Sequence, residues 1–576
     1  MKNKELADIF DKWADILEFK GDNPYHYRAY RNAARLIRDL SEDIEVLAKE
    51  GKLSELPGIG KRLQAKIEEF LKTGKIAEFE KLRAQVPDTI FALLDIPGVG
   101  PKTVKLLYDE LGVRSVEDLK RAIEKGELLK LPGFGEKKVE KIKRGIELYQ
   151  QSGGRILLGV ALPIAERIVE ELKKCPAVER VSICGSLRRM KETIGDIDIL
   201  ASGEDNLEII EAFVNLPGVV EILWKGTKKA TVIVEEGEQV DLRVSEPDSY
   251  GAALQYFTGS KAHNIHLRKI CIKLGYKLNE YGLFKGDKKI AGRTEEEIYA
   301  ALGMDTPPPE IREDRGEIEA ALEHRLPSLV GYDELKGDLH IHSNWSDGVS
   351  TIEDYVKAAL KMGYTYIAIT DHSKSLKVAG GLTEEELLRR NYEIDRLNEK
   401  YAGKIKILKG SEVDILPDGT LDYPDEILAQ LDFVVAAIHS RFKHDNTERL
   451  IKAMNNPYVN AIAHPTGRII GQREPYPLDL ERVIKTAVET GTALEVNSYY
   501  NRLDLKDTHC RLAVKMGAKL VISTDSHHTG HMWMIKLGIG TARRGWVEGK
   551  DVINTRSLSG LEEFVREKRE KFGVAG

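Results

Sequence analysis

From Lys336 onward one pattern recurs seven times: a short apolar run, an ionisable or polar side chain at its C-terminal end, then a stretch of helical periodicity. The runs are GDLHIH, YIAITDH, IKILKGSE, FVVAAIHS, NAIAHP, ALEVNS and LVISTDSH. Strands that alternate with helices and are apolar on both faces belong in a parallel sheet, and seven such units predict a parallel barrel with its functional groups at the C-terminal mouth. His340 and His342 alternate on the first strand and Asp347 follows in the loop. His372, Glu412, His439 and His464 end later strands, and Asp525 and His527 end the last. Nine metal-type side chains at successive strand ends do not make a hydrophobic core. The absence of thiolates favours manganese, zinc or iron over a structural zinc, and nine ligands suffice for up to three ions. Ten of the 14 histidines follow Lys336. His444, His509, His528 and His531 lack this placement and stay unassigned.

At 576 residues, with 42% hydrophobic and 31% charged side chains, the chain can form several cores. No apolar run approaches the roughly 18 residues of a membrane span, and the opening MKNKELADIF moves straight into an amphipathic pattern with no export signal. Cys175, Cys184, Cys271 and Cys510 lack CxxC spacing, so a reducing cytoplasm is expected. The net charge of -6 hides local fields: residues 1–150 carry 29 Lys+Arg against 27 Asp+Glu.

That first stretch contains an internal repeat: LPGIGKRLQAKI from Leu56, IPGVGPKTVKLL from Ile96 and LPGFGEKKVEKI from Leu131. In each, Pro sets a turn and glycines open backbone N–H groups at a helix start, where a phosphate can approach. The glycines are Gly58 and Gly60, Gly98 and Gly100, and Gly133 and Gly135. Each pair is followed by cations: Lys61, Arg62 and Lys66, then Lys102 and Lys105, then Lys137, Lys138 and Lys141. Such contacts hold a phosphate backbone, not a sequence, and the three segments resemble helix-hairpin-helix motifs, which grip DNA strands without reading bases. Lys66 is either an ordinary exposed lysine or, held among cations with Tyr30, Arg31 and Arg62 around it, a Schiff-base nucleophile for a sugar aldehyde.

Residues 155–244 change to α+β texture, with strands VSICGS, GDIDIL, TVIVEE and EQVDLRV, and residues 246–305 return to helix and loop. In Gly195-Asp196-Ile197-Asp198-Ile199 the two carboxylates project from one face while the isoleucines face the core. Asp241, on another strand, completes an oxygen cage for two magnesium ions. Upstream, Gly185 and Ser186 can present N–H and hydroxyl donors to a triphosphate, with Arg189 neutralising its charge. Residues 311–335 are Pro-rich and polar and read as a connector.

The order GSLRR, DID, strand Asp, then Tyr256-Phe257-Thr258-Gly259-Ser260 resembles the family X DNA polymerases, and the last half resembles the polymerase and histidinol phosphatase (PHP) domain. Together they resemble bacterial family X polymerases fused to a C-terminal PHP domain. The resemblance implies a multidomain fold: a helical helix-hairpin-helix N-terminal region, an α+β nucleotidyltransferase palm, a helical or mixed nucleotide-selection subdomain and a distorted (β/α)7 barrel. The expected bounds are 1–80 and 81–154 for the two DNA-binding units, 155–245 for the palm, 246–310 for nucleotide selection, 311–335 for the linker and 336–576 for the barrel.

It further implies that Gly185, Ser186, Arg189, Gly195 and Gly259 border the nucleotide, that Tyr256 and Phe257 flank its sugar, that Asn264 contacts the base or minor-groove edge, and that Arg268 contacts the template. Lys261, Asn264 and Arg268 are expected on one helix face, opposite Leu267, Cys271 and Leu274. Two departures stand out: Gln239 where relatives carry Arg, and Lys261 where they carry an acid.

The implied function is gap filling from deoxynucleoside triphosphates with magnesium. The barrel is expected to act with manganese or zinc as a 3′-5′ exonuclease, 3′-phosphatase or abasic-site nuclease. The partner is gapped or primed DNA, without a membrane. The expected protein is a monomer in a bacterial or archaeal cytoplasm, associated with the nucleoid. A non-catalytic DNA-gap platform and a small-molecule phosphatase remain open.

Overall fold

The structure is a computed structural model. It describes residues 155–574 throughout, and residues 2–146 except 40–43, 50, 57–58, 84–85, 87–89, 91–92, 95, 97–98, 132, 136–137, 141 and 144–145. The N-terminal region is helical. Helices Lys2–Lys20, Pro24–Asp39, Lys61–Thr73 and Pro101–Leu111 bury one apolar face each around Phe10, Trp13, Ile67 and Leu107. Gly60 and Gly100 are N-caps without a side-chain acceptor, and Pro101 opens the second helix.

The palm is a five-stranded sheet formed by β1 (Arg180–Ile183), β2 (Ile197–Ser202), β3 (Val219–Lys225), β4 (Lys229–Val234) and β5 (Gln239–Ser245), in the order β1-β2-β5-β4-β3. Parallel pairing of β2 with β5 sets Asp198 directly beside Asp241. Strand β3, which the sequence reading passed over, is an edge strand with Val220, Ile222, Leu223 and Trp224 all exposed. It lacks the in–out alternation that marks a half-buried strand.

Residues 246–305 hold helices Tyr250–Thr258, Lys261–Lys273 and Glu295–Ala301. They also hold a three-stranded antiparallel sheet of β6 (Lys277–Asn279), β7 (Gly282–Lys285) and β8 (Lys288–Ala291). The helix-and-loop reading is therefore corrected; strands of three or four residues rich in lysine carry no apolar period. Leu267 and Cys271 are buried as expected, but Leu274 caps its helix and is 50% exposed.

The segment read as a connector is packed. It contains helix Glu317–Leu322, and Arg312 and Glu317 lie in the interior. Arg312 pairs with Glu295, while Glu317 Oε1 lies 2.6 Å from His263 Nδ1, whose Nε2 meets the Tyr299 hydroxyl at 2.9 Å. Polar composition misled here because the charges are satisfied internally.

The C-terminal half is a seven-stranded parallel sheet in sequential order: β9 (Gly337–Ile341), β10 (Tyr366–Ile369), β11 (Lys406–Asp414), β12 (Phe433–Ala437), β13 (Val459–Ile462), β14 (Ala493–Asn497) and β15 (Leu520–Ser523). A parallel bridge between Ile341 and Ser526 nearly closes the barrel. The C-terminal helix Leu558–Lys571 packs Leu561, Phe564 and Val565 against strand residues Ala368, Phe433 and Val435. The barrel also abuts the palm: Leu503, Met534 and Leu537 join the palm's apolar core, and Arg468 pairs with Glu192 at 2.7 Å.

Candidate active sites

In the palm, Ile197 and Ile199 anchor β2 in the core, so Asp198 points to the opposite face. Asp196, Asp198 and Asp241 each bring one oxygen within 4.8 Å of the others. Burial, then the charges of Asp196 and Asp241, push the Asp198 carboxyl up to about 7. Three carboxylates this close fit divalent cations, whose charge would relieve that repulsion.

Gln239 does not leave Asp241 unheld. Its Nε2 donates to Asp241 Oδ1 at 3.3 Å, and Lys229 Nζ on β4 lies 3.0 Å from Oδ2. The cation expected two residues before Asp241 is thus supplied by the neighbouring strand. Gly185, at φ 62°, passes so close that a Cβ there would lie 2.3 Å from Asp198 Oδ2.

Around the triad, Tyr256 and Phe257 sit edge to face at 5.2 Å, and the Arg243 guanidinium lies 4.6 Å from the Phe257 ring. Asn264 is buried. Its Oδ1 accepts from Gln255 at 2.7 Å and its Nδ2 donates to the Tyr256 carbonyl at 2.8 Å. Arg268 is exposed, its Nε donating to the Asn264 carbonyl at 3.2 Å. Arg189 is 9% exposed and donates to Glu313 Oε1 at 3.0 Å and to the Thr258 carbonyl. Gly195 directly precedes Asp196 in the chain, and a Cβ on Gly259 would fall 3.2 Å from Arg189 Nη1. Ser186 lies in the short helical turn Gly185–Arg188.

At the hairpins, a Cβ on Gly60, Gly100, Gly133 or Gly135 would meet nothing of the chain itself within 4 Å, which leaves the backbone open to an incoming phosphate. Lys61, Arg62 and Lys102 are exposed beside them. Gly58, Gly98, Lys137 and Lys141 lie outside the described residues. Lys66, read from the sequence as either an ordinary exposed lysine or a nucleophile held among cations, faces an acid and an aromatic ring. Its ammonium pairs with Glu78 and lies 4.3 Å from the Trp13 ring, itself stacked on Tyr30. Arg31 turns instead to Asp15 and Glu18.

At the barrel mouth the nine donors converge. His342, Asp347, His372 and His527 form one group, His340, His342 and Asp525 a second, and His372, Glu412 and His439 a third. His464 Nε2 reaches Glu412 Oε1 at 3.0 Å. His342 Nε2 lies 3.2 Å from Asp525 Oδ1, and His527 Nε2 3.4 Å from Asp347 Oδ2.

Burial depresses His342, to about 4, and His464, but at His340, His372, His439 and His527 neighbouring carboxylates win. Glu412 and Asp347 raise His372 to about 10, Asp347 and Asp525 raise His527 to about 9, and Glu412 and Asp414 raise His439 to about 8. Glu412 and Asp525, despite burial, are held well below the usual carboxylate range by the imidazoles around them. The buried acids thus demand positive charge, from protons or from metal ions.

The geometry favours ions. His372 Nδ1 and Glu412 Oε2 lie 2.9 Å apart, yet neither has an aligned hydrogen-bond partner, and His342 Nδ1 is also buried without one. Converging buried donors and acceptors that leave these three atoms without a partner fit a ligand shell. His464 and Asp525 hold φ values of 28° and 55°, a strain that clusters at functional sites.

The sequence reading missed the residues that aim these ligands. Glu495 Oε1 lies 2.7 Å from His340 Nδ1, and its Oε2 accepts from the His464 backbone at 2.6 Å. Asp414 Oδ1 lies 2.5 Å from His439 Nδ1. Each fixes an imidazole tautomer; Glu495 lies inside the predicted run ALEVNS, and Asp414 ends β11 two residues beyond the predicted run IKILKGSE, on the same side as Glu412. Arg502 was missed as well; its Nε lies 3.5 Å from Asp525 Oδ2, and its Nη1 is buried without a partner. Arg441 is exposed with φ 56° and lines a 450 Å³ cavity with His444 and Lys452.

Comparison with known proteins shows what the chain is similar to. Residues 253–313 match the DNA polymerase beta thumb, 1–76 a helix-hairpin-helix domain, 90–147 a SAM-like helix-hairpin-helix tandem and 338–498 the PHP domain. The DNA polymerase/3′-5′ exonuclease PolX of Bacillus subtilis is 40% identical over 574 residues, 98% of this chain and 100% of that protein. Probable phosphatases of Thermoanaerobacter sp. and Acetivibrio thermocellus are each 32% identical over 250 and 253 residues, covering 41% of this chain and 96% of theirs. Among the described residues no helix is long and apolar enough to cross a membrane. With a full-length relative at that identity, the chain belongs to the PolX family, family X DNA polymerases that carry a C-terminal PHP domain.

Proposed function

We propose that this chain is a DNA polymerase/3′-5′ exonuclease that fills short gaps during DNA repair and trims 3′ ends by hydrolysis. The observation that carries this is the presence of two separate donor sets in one chain, a carboxylate triad on the palm sheet and nine imidazole and carboxylate groups at the barrel mouth. Both match cation-dependent phosphoryl chemistry. Bound divalent ions supply positive charge at the attacking oxygen and at the phosphoryl and departing oxygens.

Within that chemistry the chain's own residues position and select. Asp196, Asp198 and Asp241 hold magnesium, with Asp241, fixed by Lys229 and Gln239, on the primer side. Gly185, Ser186 and Arg189 take the triphosphate, Tyr256 and Phe257 exclude a ribose hydroxyl, and Asn264 and Arg268 address base and template. The Gly60, Gly100 and Gly135 helix starts grip the DNA backbone. Lys66, paired with Glu78, is assigned no part in this chemistry. At the barrel, manganese or zinc binds the nine donors and Arg502 Nη1 meets the scissile phosphate.

The shorter relatives named probable phosphatases align with the barrel half, which favours removal of 3′-phosphates as a second activity of the same mouth. The protein works as a cytoplasmic monomer.

The test is a gapped duplex with a labelled primer, incubated with dNTPs and magnesium and, separately, with manganese alone. Extension in the first and shortening in the second are expected. Failure to extend under any metal would leave only a DNA-binding platform.

A further inference from the structure

The loop that carries Arg189 is walled by the barrel. Helix Ile535–Arg544 of the PHP half presses on it so closely that a Cβ on Gly540 would lie 2.5 Å from Met190 Cε. At the end of that helix, Arg544 Nη1 donates to the Arg189 carbonyl at 2.7 Å and to Glu313 Oε1 at 2.9 Å, while Nη2 donates to Asp507 Oδ2 at 2.9 Å. Arg189 Nε donates to the same Glu313 oxygen at 3.0 Å. One carboxylate oxygen is therefore shared by guanidinium groups from the two halves of the chain. The side chains of Arg544, Glu313 and Arg189 are 5%, 13% and 11% exposed. In a site this dry, each charge is felt at nearly full strength by its neighbours.

Three guanidiniums, Arg189, Arg544 and Arg315 (3.2 Å from Asp507 Oδ2), against two carboxylates, Glu313 and Asp507, leave a net positive charge at the loop. Without Arg544, Glu313 would neutralise Arg189 alone, and the field available to a phosphate anion would fall.

We propose that Arg544, a residue of the hydrolytic barrel, is a positioning residue for the polymerase. It takes up the charge of Glu313 so that Arg189 keeps its own for a nucleoside triphosphate, and its grip on the Arg189 carbonyl fixes the loop. The inference rests on the assignment of Arg189 and its loop to the triphosphate. It makes the PHP half part of nucleotide binding rather than an appended nuclease.

The test is a charge cycle in the full-length chain: wild type, Arg544→Gln, Glu313→Gln, the double variant and Arg544→Lys. Steady-state insertion of one nucleotide into a gapped duplex with magnesium gives KM for the dNTP and kcat. Manganese-dependent 3′ hydrolysis on each preparation reports folding of the barrel. Arg544→Gln raises KM about tenfold with kcat within about threefold, while hydrolysis is unchanged. Glu313→Gln in that background returns KM to within about threefold of wild type, because Arg189 no longer faces the Glu313 carboxylate and Asp507 keeps Arg315 as its partner. Arg544→Lys, which keeps the charge, stays near wild type. An unchanged KM in Arg544→Gln, or a double variant no better than Arg544→Gln, overturns the proposal. If wild type does not extend, the reading of the palm fails instead; titration of the same variants with magnesium and dATP in a calorimeter then decides the role of Arg544 by binding alone.

Discussion

Substituting Gly185 with alanine tests the palm at its tightest point. The built Cβ falls 2.3 Å from Asp198 Oδ2, where ordinary contact needs about 3.5 Å. The backbone, at φ 62° and paired through the Cys184 amide to the Asp198 carbonyl at 2.8 Å, has little room to retreat. The Asp198 carboxylate must therefore swing by about 1 Å, and a displacement of that size costs about 10²-fold in rate when geometry sets the chemistry. The left-handed backbone adds about 1–2 kcal/mol of strain for alanine, too little to unfold a domain of this size. Single-nucleotide insertion should fall about 100-fold in kcat/KM, while manganese-dependent hydrolysis by the same preparation is retained. Insertion within about threefold of wild type would refute the reasoning that Gly185 exists to seat Asp198.

Three further outcomes follow from the geometry. Asp198 has its folded pKa raised from 3.8 to about 7, so without cations the palm loses stability as pH rises through that window, and cation binding must displace a proton below it. Magnesium affinity measured by titration calorimetry should drop about tenfold from pH 8 to pH 6; a flat profile would deny the coupling. Lys568 is buried, its ammonium lowered to about 7 by desolvation, with Met454 and Thr492 as its acceptors. Its folded pKa lies below the unfolded 10.5, so stability rises with pH from 7 upward. Lys568→Met should be more stable than wild type by about 2 kcal/mol at pH 7 in urea denaturation, after about 1 kcal/mol is deducted per lost hydrogen bond, and should lack that slope; a destabilised variant would show that the hydrogen bonds dominate. Glu495→Gln should weaken manganese binding about 10–100-fold by loosening His340 and His464, read by metal titration; unaltered affinity would mean the carboxylate is a bystander.

What the sequence made legible follows from period and parity. Alternation in His340-Ile341-His342 and Asp196-Ile197-Asp198 aims each pair to one side, and the barrel and triad follow from it. The residues that carry the ligands' orientation, Glu495 and Asp414, sit on strands already recognised but look like ordinary acids until pairing brings an imidazole to them. Strands β6 to β8 have no apolar period, and the charges of 311–335 resemble a solvated linker because their partners, Glu295 and His263, lie elsewhere in the chain. Lys66 shows the same limit: Glu78, twelve residues on, decides its surroundings, and spacing alone does not reveal an ion pair.

The most direct measurement of the central claim uses one gapped, labelled substrate and two variants, Asp196→Ala with Asp198→Ala, and His342→Ala. The first should lose extension with magnesium and keep 3′ shortening with manganese, and the second should do the reverse. A variant that lost both reactions while still folded and still binding DNA would contradict the existence of two independent sites.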